Sequence, residues 1–537
     1  MKTTFFFILG LLCVGITPAQ NYPIDYLSAD FHKGRRDEVR ALMPENSVAV
    51  LFANPVHNRA NDVDYVYHQD PNFYYLTGYK EPNAVLIVYK EMQQTASGVV
   101  YNEQLFVQKK DPRAEQWNGK RLGVAGAKEL LGFEQAFNGE DFSATVIDFS
   151  SFDSVLFFDF QEDYRNSRDT ADLYDLIEAF KEKANYPADF NATKQQLYTR
   201  IMSTSIENSA NVAQTLGRYL NRSEELQQDA LLSGFVTAEN EDIRNEFRSK
   251  VAIALKKNNL NSFVLGEIMG RLRETKTPEE MVLLKKAIEI SAVGQAEVMK
   301  AMHKNMSEME VQGIHEYVYK KYGAEYEGYP SIVGAGNNGC ILHYIENSKT
   351  TLGKDLVLMD LGAEYHGYTA DVTRTIPANG KFSEAQKLIY DIVYNAQEAG
   401  IKASVVGAPF QAPNRAASAV VAEGLLQLGI ISDVKEARTY FPHGTSHYLG
   451  LDVHDPGTYG DYKDQTVITV EPGIYIPESS DCDEKWWGIA VRIEDDILIT
   501  NDGPVLLSGM APRTTEAIEA LMAQSSALDD FKLPSLK

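Results

Sequence analysis

The chain has 537 residues and carries 75 acidic against 51 basic side chains, which gives a formal net charge of -24. A chain of this length exceeds one ordinary hydrophobic core, so we expect two or more domains. Its composition, 44% hydrophobic and 23% charged, is typical of a soluble globular protein. The net negative charge argues against non-specific binding to nucleic acid or to an anionic membrane surface as the main function.

The first 19 residues have the pattern of a signal peptide. Lys2 precedes an apolar run from Phe5 to Ile16, and small residues follow up to Ala19. The run is too short to span a bilayer comfortably, which favours cleavage after Ala19 over a membrane anchor. We therefore predict a soluble exported protein, periplasmic or secreted, without a stable membrane span.

The cysteines place few constraints on the fold. Cys13 lies in the predicted signal peptide, which leaves Cys340 and Cys482 in the rest of the chain. Neither lies in the paired spacing of a structural zinc site, and two cysteines do not make a disulfide framework. The sequence leaves open whether these two residues pair.

An N-terminal α/β domain is predicted over residues 22–262. Short apolar runs at 47–54, 84–90, 103–108 and 153–160 have the composition of strands, and residues 170–184 have helical periodicity. Their alternation favours an α/β domain. Residues 190–261 show helical periodicity without a strong strand run, which predicts a helical extension whose simplest role is packing.

A second, α+β domain is predicted over residues 263–525, followed by a tail at 526–537. Thr277-Pro278 has the chemistry of a helix start, with a capping hydroxyl and a proline in the first turn. Strands are expected at 328–376 and 441–500, with helices at 383–428 between them. This order indicates antiparallel hairpins, in contrast to the regular βαβ units of a doubly wound sheet.

Acidic residues of the second domain lie in or next to its apolar strand runs. Asp360 directly follows the apolar run Leu356–Met359, and Glu471 follows a Val/Ile run. Glu494 is predicted to lie inside a further strand. Buried carboxylates are costly unless a cation compensates them. Hard oxygen ligands with one imidazole suit Mn²⁺, Co²⁺ or Zn²⁺. The full set of candidate ligands is Asp360, Asp371, His447, Glu471 and Glu494.

Each of these residues, taken alone, has an ordinary structural explanation. An aspartate at a strand end usually caps a turn, and a histidine on a hairpin is more often hydrogen-bonded than metal-bound. Arg492, beside two acids, could form a plain ion pair. Only the recurrence of carboxylates beside apolar strands, with few lysines nearby, favours a site for two metal ions.

At these residues the sequence resembles the pita-bread metallopeptidases, and among them most closely the aminopeptidase P group. The likeness covers roughly residues 270–525, with further similarity to the group's N-terminal domain at 68–88 and 105–123. The matching stretches, in the family's order, are "SIVGAGNNGCILHYIEN", "LVLMDLGAEYHGYTADVTRTIPANGKF", "HGTSHYLGLDVHDPGTYG", "TVEPGIYI" and "GIAVRIEDDILIT". The resemblance implies a C-terminal pita-bread catalytic domain behind an α/β N-terminal domain with a helical extension.

The resemblance also implies a role for each candidate ligand. Asp360 would hold one metal ion, Asp371 and Glu494 would bridge both ions, and His447 and Glu471 would complete the coordination of the second ion. The family usually uses two manganese ions, although the ligand types also allow Co²⁺ or Zn²⁺. All five ligands are present, which counts against the members of this fold that work without metal.

Five further residues match family positions that line the site. They are His343, which the sequence places on the strand before Asp360, together with His443, His454, Arg492 and Tyr475. The implied reaction is attack of a metal-activated hydroxide on the carbonyl before a proline. His454 would meet the developing oxyanion, and Glu471 would take the hydroxide's proton.

The implied substrates are peptides with an N-terminal Xaa-Pro bond, and the family often forms dimers or tetramers. One alternative is a prolidase, which shares the ligands but cleaves only Xaa-Pro dipeptides. Another is a catalytically dead peptide-binding module, which is expected to have lost its ligands. A third is a structural envelope protein with a vestigial site, and the predicted signal peptide is the one feature of the sequence that supports it.

Overall fold

The computed structural model describes residues 25–160, 171–529 and 533. The predicted signal peptide, residues 1–19, and most of the predicted tail lie outside these ranges and stay predictions. In the described part of the chain, no helix combines the length and apolar character that crossing a bilayer requires. Cys340 and Cys482 are both free thiols.

The N-terminal domain is built on one mixed sheet with the strand order β6-β5-β4-β1-β7-β8. The central strand β1 pairs antiparallel with β4 and parallel with β7. All four predicted strand runs are confirmed, as β1, β4, β5 and β7. The strands of this half, with the short hairpin β2–β3, are β1 Ser47–Phe52, β2 Asn58–Ala60, β3 Val63–Asp64, β4 Val85–Gln94, β5 Val100–Val107, β6 Ala136–Asn138, β7 Ser154–Phe157 and β8 Leu260–Asn261.

The two faces of this sheet are buried in different cores. Ala49 and Leu51 of β1 point into a core that continues into the second domain. Val48 and Val50 point into a separate core rich in phenylalanine. The alternation follows from the two-residue repeat of a strand. The sheet is thereby packed directly against the second domain.

The helices predicted within 190–261 are present and bury a small core of their own. The chain then returns to the sheet as β8, whose two residues pair with β7. A strand of this length leaves no periodicity in the sequence, so it was not predicted. The helices of the N-terminal half are α1 Ala29–Leu42, α2 Pro71–Thr77, α3 Pro112–Asn118, α4 Gly123–Glu129, α5 Glu140–Ala144, α6 Leu173–Lys183, α7 Ala192–Ser203, α8 Ser209–Leu220, α9 Glu224–Gln228, α10 Ala230–Thr237 and α11 Glu241–Leu255.

Long helices and short antiparallel sheets form the second domain, as predicted. The helix start at Thr277-Pro278 is confirmed, with a reciprocal capping box between Thr277 and Glu280. The helices are α12 Val264–Arg273, α13 Pro278–Ala301, α14 Glu308–Tyr322, α15 Glu384–Ala403, α16 Ala412–Gln427 and α17 Thr515–Met522. The strands are β9 Tyr326–Glu327, β10 Ile332–Ala335, β11 Leu356–Asp360, β12 Ala363–Tyr365, β13 Tyr368–Thr369, β14 Thr373–Pro377, β15 Thr466–Val470, β16 Gly473–Ile476, β17 Ile489–Arg492, β18 Asp495–Thr500 and β19 Gly503–Leu506.

Two sequence predictions for this domain are wrong in detail. The predicted strand region 441–500 contains its first strand only at Thr466. Residues 441–465 are irregular apart from isolated bridges such as Tyr448 to Asp455. His343 lies in a turn and not on a strand. The carboxylate of Glu308 accepts hydrogen bonds from the backbone of Ala335 and Lys349, which holds the intervening segment in a loop.

Glu494 lies between two strands and not inside one, which corrects a third prediction. Strand β17 pairs with β16 through Gly473 and Arg492, whereas β18 pairs with β15 through Val470 and Asp495. The chain therefore changes sheets at residues 493–494. The segment that pairs with it, β15 followed by β16, changes sheets at residues 471–472, directly opposite. Glu471 and Glu494 face each other because both occupy this switch between sheets.

Candidate metal centre

A cavity of about 560 Å³ lies in the second domain, where the ends of its small sheets meet. All five candidate ligands line it, although they come from positions as far apart as 360 and 494. Five of the six candidate catalytic residues also line it. The candidates on its wall are Asp360, Asp371, His447, Glu471, Glu494, His343, His443, His454 and Arg492.

Two carboxylates come from the hairpin around β11 and β14. Asp360 is the last residue of β11, and its register partner on β14 is Thr373. Asp371 lies two residues before Thr373, so both acids reach the same edge of the sheet. The Tyr329 hydroxyl lies 2.6 Å from Asp360 Oδ1 and 2.6 Å from Asp371 Oδ1, and it thereby links the two side chains.

The other two carboxylates come from the switch between sheets. Glu494 is buried, and the Thr373 hydroxyl donates a hydrogen bond to its Oε2 atom over 2.6 Å. The Glu494 backbone N–H also donates to the Thr373 carbonyl over 3.1 Å. Glu471 follows β15, and its backbone N–H donates to the Thr445 carbonyl over 2.8 Å. Backbone hydrogen bonds therefore hold both glutamates in place from behind.

His447 supplies the imidazole of the site. Its Nε2 atom lies 3.4 Å from Asp371 Oδ2, 3.7 Å from Glu471 Oε1 and 3.9 Å from Glu494 Oε1. Its Nδ1 atom lies 3.0 Å from the Tyr448 carbonyl, which favours the tautomer that leaves Nε2 free to bind. One ligand atom each from Asp371, His447 and Glu494 falls within 4.8 Å of the others.

Burial and mutual repulsion raise the pKa values of three of these carboxyl groups. Burial, and then the charge of Glu494, raise the pKa of Glu471 to about 8. Burial, and then the charge of Asp360, hold the pKa of Asp371 well above its usual range. The pKa of Glu494 is raised in the same way by burial and by Asp371. A bound cation would oppose all three shifts, because it favours the charged form of each carboxyl group.

The donor set fits divalent cations. Four carboxylates and one imidazole converge on one cavity, and hard oxygen ligands with a nitrogen suit Mn²⁺, Co²⁺ or Zn²⁺. Among the described residues that line the cavity, Arg492 is the one permanently charged cation. Arg492 reaches only one carboxylate directly, with Nη2 2.5 Å from Asp360 Oδ2. The remaining negative charge is what metal ions would neutralise.

Arg492 also organises the wall on the Asp360 side. The sequence placed it beside Glu494, whereas its hydrogen bonds go to Asp360, to the Tyr475 hydroxyl over 2.9 Å and to Thr373. Tyr475 is buried behind the cavity wall, and its hydroxyl lies 2.8 Å from His443 Nε2. Tyr475 is thus placed to orient its neighbours without reaching the cavity itself.

The three remaining histidines lie around the opening. Burial, and then the charge of Arg492, lower the pKa of His443 to about 4, so its imidazole is neutral near pH 7. The pKa of His454 is lowered by burial and by His447, whose ring it meets edge-on at 4.5 Å between centroids. His343 is exposed on the rim. The neutral imidazoles of His443 and His454 can donate or accept a proton during a reaction.

Sequence reasoning missed two residues that touch the ligands. Tyr329 links Asp360 and Asp371, which lie 31 and 42 residues away, and Thr373 connects Glu494 to Arg492. A tyrosine before a proline and a threonine in a strand are common patterns, and only folding brings them to the carboxylates. The sequence therefore held no local signal for either residue.

We expect Tyr329→Phe to weaken the site without unfolding the protein. Phenylalanine keeps the ring and its packing but removes the hydroxyl that lies against both aspartates. Loss of such a partner of the ligands typically costs about 10- to 100-fold in metal affinity or activity. Calorimetric titration of the metal-free variant with Mn²⁺ measures the effect. Wild-type affinity in this variant would show that the hydroxyl does not hold the carboxylates.

Family models match both domains. Residues 282–501 match the model described as Metallopeptidase family M24. Residues 32–155 match the model described as Aminopeptidase P, N-terminal domain. The predicted catalytic domain and the predicted N-terminal domain of this family are therefore both confirmed.

Full-length relatives and solved structures agree with these matches. The chain is 32% identical to the Xaa-Pro aminopeptidase of Escherichia coli over 505 residues, which cover 92% of this chain and 97% of that protein. It is 33% identical to the Haemophilus influenzae Xaa-Pro aminopeptidase over 500 residues, covering 91% and 96%. Aminopeptidase P from E. coli with the inhibitor Pro-Leu superimposes with a TM-score of 0.70 at 30% identity, covering 93% and 98%.

A second solved structure, an aminopeptidase of Pseudomonas aeruginosa, gives a TM-score of 0.71 at 30% identity and covers 93% of this chain and 99% of that one. The pita-bread fold with its preceding α/β domain is therefore confirmed over both halves of the chain. Prolidase, the alternative that shares the ligands, is not favoured by these matches. The chain belongs to the aminopeptidase P family of M24 metallopeptidases, the family of the Xaa-Pro aminopeptidases.

Proposed function

We propose that this enzyme releases the N-terminal residue from peptides that have proline in the second position, with two divalent cations, Mn²⁺ by preference, as cofactors. The observation that carries the proposal is the convergence of Asp360, Asp371, His447, Glu471 and Glu494 on one cavity. The Zn-substituted E. coli aminopeptidase P, solved in complex with product, is a relative of the same fold that binds a divalent metal.

The five ligands would share the two ions as the family resemblance implies. Asp371 and Glu494 would bridge them, with Asp360 on one side and His447 and Glu471 on the other. When bound, the ions would supply a water of lowered pKa as nucleophile and would polarise the scissile carbonyl. Asp371 and Glu494 are the two most deeply placed carboxylates of the set, which suits a bridging role.

The chain's own residues would handle the protons. The Glu471 carboxylate is positioned at the cavity wall, with His443 Nδ1 3.6 Å from its Oε2 atom. It would accept the proton of the attacking water and pass it to the proline nitrogen as that nitrogen leaves. His454, opposite the His447 ring, would donate a hydrogen bond to the developing oxyanion.

The substrate preference has two physical supports. The acidic wall of the cavity attracts the free α-ammonium group of a peptide, which suits an exopeptidase. A proline in the second position removes the N–H of the scissile bond and fixes φ, so enzymes that grip this N–H cannot use such a peptide. A site built around metal-ligating carboxylates does not need the missing donor.

The function is tested with a peptide series and a chelator. We expect the Mn²⁺-loaded protein to release Xaa from Xaa-Pro-Xaa and longer peptides, and to lose this activity when the metal is removed by EDTA. Readdition of Mn²⁺ is expected to restore it. A matched series with alanine in place of proline is the control and should be poorly cleaved. Turnover of Xaa-Pro dipeptides alone would indicate a prolidase and contradict the proposal.

A further inference from the structure

Two buried glutamines occupy equivalent places behind the metal centre. Gln295 lies on α13 and Gln397 lies on α15, and both side chains are fully buried. Gln295 Nε2 donates to the carbonyls of Val372 over 2.7 Å and Met359 over 3.1 Å. Both of its amide hydrogens are used in this way, whereas its Oε1 atom is buried without a hydrogen-bond partner among the described residues.

Gln397 repeats this arrangement in the second half of the domain. Its Nε2 atom donates to the carbonyls of Val470 and Ile493, both over 3.1 Å, and lies 2.9 Å from Asp495 Oδ2. Its Oε1 atom accepts a hydrogen bond from Arg513 over 3.0 Å. One nitrogen with two hydrogens therefore connects two separate segments of the chain in each half.

All four carbonyls belong to residues adjacent to a candidate ligand. Met359 directly precedes Asp360, and Val372 directly follows Asp371. In the same way, residues 470 and 493 directly precede Glu471 and Glu494. Each glutamine thus ties together the backbones that carry one pair of carboxylates. The pairs are Asp360 with Asp371, and Glu471 with Glu494.

The strands need such a tie at these points. Val372 and Ile493 lie just outside the strands, where the ladder of backbone hydrogen bonds is interrupted. The two acids of each pair also repel each other, which would push their backbones apart. A glutamine amide is suited to this place because it offers two N–H donors from one planar group and carries no charge.

We propose that Gln295 and Gln397 are positioning residues that set the spacing of the two carboxylate pairs for metal binding. The inference rests on the metal centre of the proposed function. Neither glutamine reaches the cavity, so each acts through the backbone next to the ligands. Gln295 sets the spacing between Asp360 and Asp371, and Gln397 sets the spacing between Glu471 and Glu494.

The test compares Gln295→Met and Gln397→Met with matched control variants in the full-length protein. Methionine has a similar length but no donor, so the two carbonyls lose their partner. The controls are Ser291→Ala on α13 and Ser404→Ala at the C-terminal end of α15. Each control removes a buried hydrogen bond away from the residues that flank the ligands. Ser291 Oγ accepts from the Ala363 N–H, and Ser404 Oγ donates to the Gly400 carbonyl.

Metal-free samples are titrated with Mn²⁺ by calorimetry, and thermal unfolding is measured on the same samples. We expect all four variants to lower the unfolding midpoint, because each loses a buried hydrogen bond. Only the methionine variants are expected to bind Mn²⁺ about 10- to 100-fold more weakly. If a methionine variant does not fold, the shorter Gln→Asn variant replaces it, since its amide cannot reach both carbonyls.

The outcomes separate this inference from the proposed function. Glutamine variants that bind Mn²⁺ like the wild type, while their unfolding midpoints fall like those of the controls, would overturn the positioning role. Equal weakening in the controls would also overturn it, because the effect would then be a general loss of packing. Failure of the wild type to bind Mn²⁺ would instead contradict the metal centre itself.

Discussion

Replacing Asp371 with alanine is expected to abolish nearly all peptidase activity, because the proposed function makes Asp371 a bridging ligand that serves both metal ions. We expect kcat/KM for an Xaa-Pro-Xaa peptide to fall by more than about 100-fold, the most that loss of an outer partner of a ligand typically costs. The metal-free variant is expected to be at least as stable as the wild type. Its alanine removes a buried acid whose pKa is held high by burial and by Asp360.

This combination distinguishes a lost ligand from a lost fold. Activity is measured at saturating Mn²⁺, and the unfolding midpoint is measured with EDTA present. Asp502→Ala, in the exposed turn between β18 and β19, is the matched control and should keep full activity. Full turnover by the Asp371 variant would refute the assignment of the ligands. A large fall in the metal-free midpoint would show that Asp371 is instead needed for folding.

Glu471 is expected to make the metal-free protein lose stability as the pH rises from about 4.5 to 8, measured as the free energy of unfolding of the wild type minus that of Glu471→Gln. The pKa of Glu471 is about 8 in the folded protein, against 4.5 for a free glutamate. Between these values the folded state keeps a proton that the unfolded state has released, so the free energy of unfolding falls with rising pH. The loss should reach roughly 3–5 kcal/mol at pH 8.

Manganese is expected to reverse this trend, because metal binding requires deprotonated carboxylates and releases their protons. Urea unfolding at pH 5, 6, 7 and 8, in EDTA and in Mn²⁺, measures both effects. Stabilisation by Mn²⁺ should grow over this range, and Glu471→Gln should flatten the metal-free slope. A difference in the free energy of unfolding between the wild type and Glu471→Gln that stays constant or rises from pH 5 to 8 would contradict the account of the site's charge.

The parts of the centre that could be predicted are those with a local cause. Asp360 and Glu471 end apolar strands, and such a position is visible in the residues beside each acid. The helix start at Thr277 likewise depends on neighbouring residues, and it is confirmed. The resemblance to the aminopeptidase P family depended on long stretches in a fixed order, and this order can also be read directly from the sequence.

The parts that could not be predicted depend on pairing between distant segments. Glu494 belongs to an apparently continuous strand run, and only the pairing of β17 with β16 and of β18 with β15 breaks that run. His343 lies in a turn because Glu308, far along the chain, binds the backbone around it. Tyr329 and Gln295 have polar groups whose partners no spacing rule could identify.

We propose that five side chains from separate segments of the chain hold two cations in one cavity. The most direct test is a diffraction experiment on crystals grown with Mn²⁺, recorded at the manganese absorption edge. We predict two anomalous peaks inside the cavity, bounded by Asp360, Asp371, His447, Glu471 and Glu494. Absence of peaks there, or manganese bound only elsewhere on the chain, would contradict the account.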